Sequence, residues 1–422
     1  MGKTLAEKLL AKKAGLKEVT PGQIVTVHPD HLLMHDNAAA IIGKIKNELD
    51  EFGIINPHLP IIVLDHVVPA ANEKTAANHK LIREFVERHG LVNFFDAGEG
   101  ICHQVVIEKG FARPGSIIVG SDSHTCSYGA VGAFSTGIDR TEAAALLLTG
   151  ETWLKVPQSI KISLRGRFNP GVSAKDLILT IIGAIKADGA NYCSVEFHGD
   201  LTGLSMEDRI TIANMGVEMG AKTAMFPVDG ITRIYLDSLR MTPDSYDIIW
   251  SDDDAHYIIE LDYDIAAIEP VIALPHTVDN ISKIEAIAGM KIDQCLLGTC
   301  TNGRLVDIEK AAAVLKGRKI SKGVRFLVLP ASRAILNEAL RLGYIETLSQ
   351  AGAIILPPGC GPCLGAHLGV LAPGEKCLST ANRNFKGRMG CKDADIYLSS
   401  PETVAVSAIF GVITDPRNVI RS

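Results

Sequence analysis

Short apolar runs alternate with longer amphipathic stretches along the chain. Four of the runs, 61–64, 117–120, 294–298 and 353–356, read as strands buried on both faces. The stretch 71–89 predicts a helix. Ala77, Leu81 and Phe85 recur at four-residue spacing, charges fill the other face, and Gly90 stands where a left-handed C-cap is needed. The stretch 307–316 predicts a second helix, closed by Gly317. Strand-like runs alternating with helices predict an α/β protein with largely parallel sheets. A chain of 422 residues accommodates two or three domains. Pro157 with the stretch 165–171, and then the region 269–275, offer the breaks, giving expected domains 1–160, 161–268 and 269–422.

Each buried run opens into a loop of reactive residues. The first delivers Asp65-His66, the second Ser121-Asp122-Ser123-His124, the third Thr299-Cys300-Thr301-Asn302, and the fourth Pro357-Pro358-Gly359-Cys360-Gly361-Pro362-Cys363. Open α/β sheets bind ligands beyond the carboxyl ends of their strands, so these loops occupy the place where this architecture builds sites. The pair Cys360 and Cys363 sits among glycines and prolines, in a loop unsuited to a core, and Cys300 lies in a comparable loop upstream. A redox Cys-x-x-Cys would open a helix, which these prolines fit poorly, and a structural zinc site wants a fourth ligand from a second close pair. Three thiols on two loops suit an iron–sulfur cluster that leaves one iron without a thiolate. Cys102, Cys193, Cys295 and Cys377 read as core residues. His66 and His124 have aspartates close in sequence, and His103 lies in a glycine-rich segment. A carboxylate beside an imidazole raises its pKa and fixes its orientation, as acid catalysis near neutral pH requires, although spacing alone leaves a bland reading equally open. The segment 382–388 places Arg383 and Arg388 in a polar loop, where guanidinium groups can fork a carboxylate.

Composition narrows the classes. The net charge is −6, with no basic run to meet a phosphate backbone, so nucleic acid is not an expected partner. The longest apolar stretches are too short to span a bilayer, and residues 1–13 lack the apolar core of a secretory signal. Nine cysteines, an odd number, argue for reduced thiols and a cytoplasmic location rather than a disulfide framework.

Taken in order, Asp65-His66, His103-Gln104, Ser121 to Thr125, Glu196, Cys300-Thr301-Asn302, Cys360-x-x-Cys363 and Asn382-Arg383-Asn384-Phe385 resemble the aconitase superfamily from end to end. The resemblance implies three αβα domains around a central [4Fe–4S] cluster held by Cys300, Cys360 and Cys363. It implies carboxylate–imidazole pairs of Asp65 with His66, Asp122 with His103, and Glu196 with His124. Ser123, Asn382, Arg383 and Arg388 fall at the expected substrate-binding positions. The implied chemistry is loss of water from a 2-hydroxy acid and its return to the neighbouring carbon, with His66 protonating the departing hydroxyl. The motifs stop before any match to the serine base that single-chain aconitases carry on a swivelling fourth domain. A separate small subunit is therefore expected to supply it. His35-Asp36-Asn37, which opens the expected helix after Met34 where aconitase carries a substrate-touching glutamine, and Met389-Gly390 are more similar to the compact isopropylmalate, homoaconitate and dimethylmalate dehydratases than to citrate aconitase. An iron–sulfur electron carrier would want full cysteine ligation and an RNA-binding sensor a basic face. Neither has a use for the Asp, His and Arg sets.

Overall fold

The computed structural model describes residues 2–420. Three sheets occupy successive stretches of chain. The first has five parallel strands, in spatial order Asn93–Phe95, Pro60–Val63, His31–Met34, Ile117–Gly120 and Phe134–Gly137. The second has four parallel strands, Thr223–Met225, Ser194–Gly199, Ser159–Arg165 and Ile259–Asp264. The third has seven. Five run parallel, Asp395–Leu398, Lys376–Ser379, Gln294–Gly298, Arg325–Leu329 and Ile354–Ile355, and an antiparallel pair, Val271–Ala273 and Ile281–Lys283, extends one edge. A small antiparallel ribbon joins Ile24–Val27 to Thr152–Lys155. The fold is α/β, and its parallel sheets are those the apolar runs predict.

The central strands are buried on both faces, which explains why their sequences are continuous apolar runs rather than alternating ones. In the first sheet the chain reverses its direction of travel between His31–Met34 and Ile117–Gly120. In the third it reverses between Lys376–Ser379 and Gln294–Gly298. A reversal leaves a crevice at the strand ends, because the helices on either side depart to opposite faces. The two crevices carry residues 35–37 with 121–124, and 299–302 with 380–383.

The helix Glu73–His89 begins at the N-cap Asn72 and ends at Gly90, whose φ of 61° is the left-handed cap. Its inward face differs from the expected one. Ala77 and Leu81 face solvent, and His79, Ile82 and Phe85 face the core. The physical reason is a polar contact: His79 Nε2 lies 2.7 Å from Asp36 Oδ1, which turns the helix away from its apparent apolar stripe. The second expected helix runs Leu305–Leu315. Residues 35–37 form a turn ahead of the helix Ala38–Lys44 rather than its first residues.

Gly298 ends its strand at φ 146°, and a Cβ there would lie 2.4 Å from the Leu329 carbonyl oxygen. No side chain fits without shifting the neighbouring strand, and Cys300 follows two residues later. Gly298→Ala is expected to lower stability by about 2–4 kcal/mol, read as a shifted denaturant midpoint with unchanged slope. An unchanged midpoint would remove this constraint.

Candidate active site

Asp36 organises the first loop. Its carboxylate accepts the amide N–H of Asp65 at 3.0 Å, His66 at 2.7 Å and Val67 at 3.2 Å, besides its contact with His79. Burial opposes the charged form, yet His79, the nearby His66 and these amides hold Asp36 well below the usual carboxylate range. The turn that follows the strand Pro60–Val63 is thereby fixed.

From this turn a line of alternating carboxylates and imidazoles crosses the site. Asp65 Oδ1 lies 2.6 Å from His66 Nδ1, and Asp65 Oδ2 accepts the Cys102 amide N–H at 2.7 Å. His66 Nε2 lies 3.5 Å from Asp122 Oδ2. Asp122 Oδ1 lies 2.8 Å from His103 Nε2, accepts the His124 amide N–H at 2.8 Å, and stands 3.5 Å from His124 Nδ1. His124 Nε2 lies 2.8 Å from Glu218 Oε1, to which Arg383 Nε donates at 2.7 Å. Burial pushes the His66 pKa down, but Asp65, Cys360 and Asp122 together hold it well above its ordinary value. Burial likewise disfavours the charged forms of Asp122 and Glu218. Imidazoles around Asp122, and His124 with Arg383 around Glu218, keep both below the usual range. His35 stacks on His66 at 3.7 Å between ring centroids. Burial and the neighbouring His66 charge lower its pKa to about 4, so a neutral ring lies against a charged one at neutral pH.

The thiols lie beside this line. Cys300 is on the single-turn helix Thr299–Asn302, whose exposed carbonyl end is capped by the buried Arg304. Nη1 of that arginine donates to the Cys300 carbonyl at 3.0 Å, and Nη2 donates to that of Thr301. Cys360 donates its amide N–H to the Asp65 carbonyl at 2.8 Å, and its Sγ is 3.6 Å from Asp65 Oδ2. Cys363 lies in the turn Gly361–Leu364. Asn382 spans the crevice of the third sheet. Its Nδ2 is 3.3 Å from Cys300 Sγ and 3.3 Å from Asn214 Oδ1, and its Oδ1 is 3.7 Å from Cys363 Sγ. Arg388 Nη2 is 3.4 Å from Cys363 Sγ, and its buried Nε has no partner among the described residues.

These features fit an iron–sulfur cluster. All nine cysteines are free. Among the described residues, two sets close tightly enough to grip one ion, with ligand atoms within 4.8 Å of one another: His35, Asp36, Asp65 and His66, and His103, Asp122 and His124. The three thiols form no such set, and Asn382 reaches both Cys300 Sγ and Cys363 Sγ. Without metal, burial pushes the Cys300 thiol up to about 12 and the Cys360 thiol well above its ordinary value, so coordination must displace protons.

Two expected residues stand apart. Glu196 is fully buried, but it accepts the Ala6 amide N–H at 3.2 Å and the Tyr257 hydroxyl at 2.9 Å. Glu218 holds the place beside His124 that the resemblance gave to Glu196. Ser123 makes no side-chain contact with the imidazoles and lines a separate cavity of about 250 Å³ with Gly137, Tyr192 and Lys222. The sequence reading missed Glu218 and Asn214. Both lie where the helix Met206–Asn214 passes into the 3₁₀ turn Met215–Met219, and only their tertiary contacts mark them out.

The model of the aconitase family (aconitate hydratase) matches residues 7–289 and 280–411. The chain belongs to the aconitase family. Among its relatives, the 3-isopropylmalate dehydratase large subunit 1 of Methanopyrus kandleri is 45% identical over 99% of both chains. The homoaconitase large subunit of Thermus thermophilus is 46% identical, over 99% of this chain and 98% of its own. A solved structure, Thermococcus kodakaraensis aconitase X, aligns at a TM-score of 0.53 with 13% identity, covering 85% of this chain and 84% of its own, and shares the fold. The chain is therefore a hydro-lyase of the aconitase family, and the family implies an iron–sulfur cluster, for which the cysteines are present.

The two glutamates separate by experiment. Glu218→Gln is expected to lower turnover about 10²-fold or more, because it uncouples His124 from Arg383. Glu196→Gln is expected to cost about 1–3 kcal/mol of stability while leaving turnover within about threefold. Equal losses of turnover in both variants would count against the assignment.

Proposed function

We propose that this chain is the large, cluster-bearing subunit of a 3-isopropylmalate dehydratase, working in the cytoplasm with a small swivel-domain subunit. The line of charge from Asp65 to Arg383, set beside three cysteines, is the observation that carries the proposal. Cys300, Cys360 and Cys363 would hold a [4Fe–4S] cluster, with Asn382 bridging two of the sulfurs. When bound, the cluster supplies a Lewis acid at an iron that no protein thiolate occupies.

The chain's own residues supply the proton and the grip on substrate. His66, kept protonated by Asp65 and Asp122, is the acid that protonates the departing hydroxyl. In the rehydration half it takes a proton back from water. Its charge changes in each half-reaction, and the two flanking carboxylates stabilise the charged form without moving. His103 and His124 complete the shell of Asp122 and fix the direction of its lone pairs. Arg383 and Arg388 present guanidinium groups to the substrate carboxylates, and the unpartnered Arg388 Nε is a donor a carboxylate would satisfy. The base that removes the carbon-bound proton would come from the small subunit. Both relatives are named as large subunits, which supports a partner. Among the described residues, no helix is long and apolar enough to cross a membrane.

A homoaconitase role is the second reading, supported by the 46% identity to the homoaconitase large subunit of Thermus thermophilus. Anaerobically reconstituted chain, alone and with the small subunit, decides both questions when assayed on isopropylmalate, homocitrate, dimethylmalate and citrate. The pair is expected to turn over isopropylmalate at least about tenfold faster than the others, and the chain alone to be inactive. Preference for homocitrate would establish the second reading. Full activity from the chain alone would refute the need for a partner.

Two variant series test the roles. Replacing Cys300, Cys360 or Cys363 by Ser is expected to abolish the visible absorption of the cluster, and three normal spectra would sink the ligand set. His66→Ala is expected to lose about 10²–10⁴-fold in turnover while keeping its cluster and melting temperature. A variant that neither folds nor loads would make His66 structural.

A further inference from the structure

Lys175 lies in the first turn of the helix Ala174–Ile185, fully buried. Burying an ammonium is costly unless its donors are satisfied and negative charge lies near. Among the described residues Lys175 is in no ion pair. Its Nζ instead donates to two backbone carbonyls, Thr380 O at 2.9 Å and Ala381 O at 2.6 Å, more than 200 residues further along the chain. Those carbonyls belong to the bend that leaves the strand Lys376–Ser379. The next two residues are Asn382, which bridges Cys300 and Cys363, and Arg383, which engages Glu218.

The bend is tied from the sheet side as well. Thr380 donates its amide N–H to Leu296 O at 2.9 Å, its hydroxyl accepts the Gly298 amide N–H at 2.9 Å, and Ala381 N–H reaches Ser379 Oγ at 2.9 Å. Lys175 closes the remaining side. Its own helix cannot drift, because the neighbouring Asp176 accepts the amide N–H of Ser173 at 3.0 Å and of Val271 at 3.1 Å. Burial lowers the Lys175 pKa to about 7, opposed by the nearby carboxylate of Glu218.

We propose that Lys175 is a positioning residue for the cluster and substrate site: by clamping the carbonyls of Thr380 and Ala381 it sets Asn382 against the sulfurs and Arg383 against Glu218. The inference rests on the function proposed above. Lys175 touches no substrate, and its effect runs through the two residues that follow its carbonyls.

The test uses the cluster-loaded heterodimer with parent, Lys175→Met and Lys175→Arg chains. Each is assayed for KM, kcat, melting temperature and the rate at which a chelator removes iron. Lys175→Met is expected to raise KM about tenfold, to lower kcat less than about threefold, and to speed iron loss about fivefold or more. Lys175→Arg, which keeps the donors and the charge, is expected to bring KM and iron loss back within about threefold of the parent. KM and iron loss within about twofold of the parent in the Met variant would overturn the proposal. Failure of both variants to fold would also overturn it, making Lys175 a residue of the core. A parent that lacks cluster or turnover would fail the functional proposal itself, a result distinct from a working parent with unaltered variants.

Discussion

Asp122 is the group on which the site depends. One half-buried carboxylate faces three imidazoles, one from the turn after the strand Pro60–Val63, one from the helix Cys102–Glu108 and one from the 3₁₀ segment Ser123–Val131, and no other anion touches His103 within ion-pairing distance among the described residues. Breaking a buried pair by removing one partner commonly costs about 3–5 kcal/mol, because it strands the other charge. The neighbouring anions, Asp65 and Glu218, cannot substitute, since each is already committed to a different histidine. Carboxylates and imidazoles therefore alternate along a single connected line. Its geometry is fixed before any substrate arrives, which is the condition for electrostatic preorganisation.

The sheets explain how such a line can exist. Each of two sheets has one point where the strand order reverses, and each reversal opens a crevice at the carboxyl ends of its strands. The crevice of the first sheet carries His35 and His124, and that of the third carries Cys300 and Asn382. The segment 206–219 of the middle stretch contributes Asn214 and Glu218 between them. A polar centre this dense is tolerated because the strands beneath it are largely apolar and buried, so its loops stand on rigid ends.

Much of this was legible in the sequence, for a physical reason. A strand buried on both faces must be apolar throughout, so 117–120 and 294–298 could be read almost to the residue, and a reactive dipeptide after such a run is conspicuous. Pairing is a different kind of information. Glu196 and Glu218 are both buried acids near the second sheet, and nothing local separates them. One is satisfied by Tyr257 and the Ala6 amide, the other by His124 and Arg383, partners 61, 190, 94 and 165 residues away. The helix Glu73–His89 teaches the same lesson in small. Its periodicity offered a face through Ala77, Leu81 and Phe85, but the buried face runs through His79, Ile82 and Phe85, with His79 bonded to Asp36.

The contact between Cys360 and Asp65 joins residues 295 positions apart. During synthesis the first sheet, with its imidazoles and carboxylates, leaves the ribosome long before any of the three thiols exists. The contacts that complete the site are among the last the chain can form, and such non-local contacts are slow to close. Metal delivery must therefore wait for the final third of the polypeptide. An early histidine–carboxylate cluster that can grip a single ion is exposed meanwhile to whichever free metal the cell supplies.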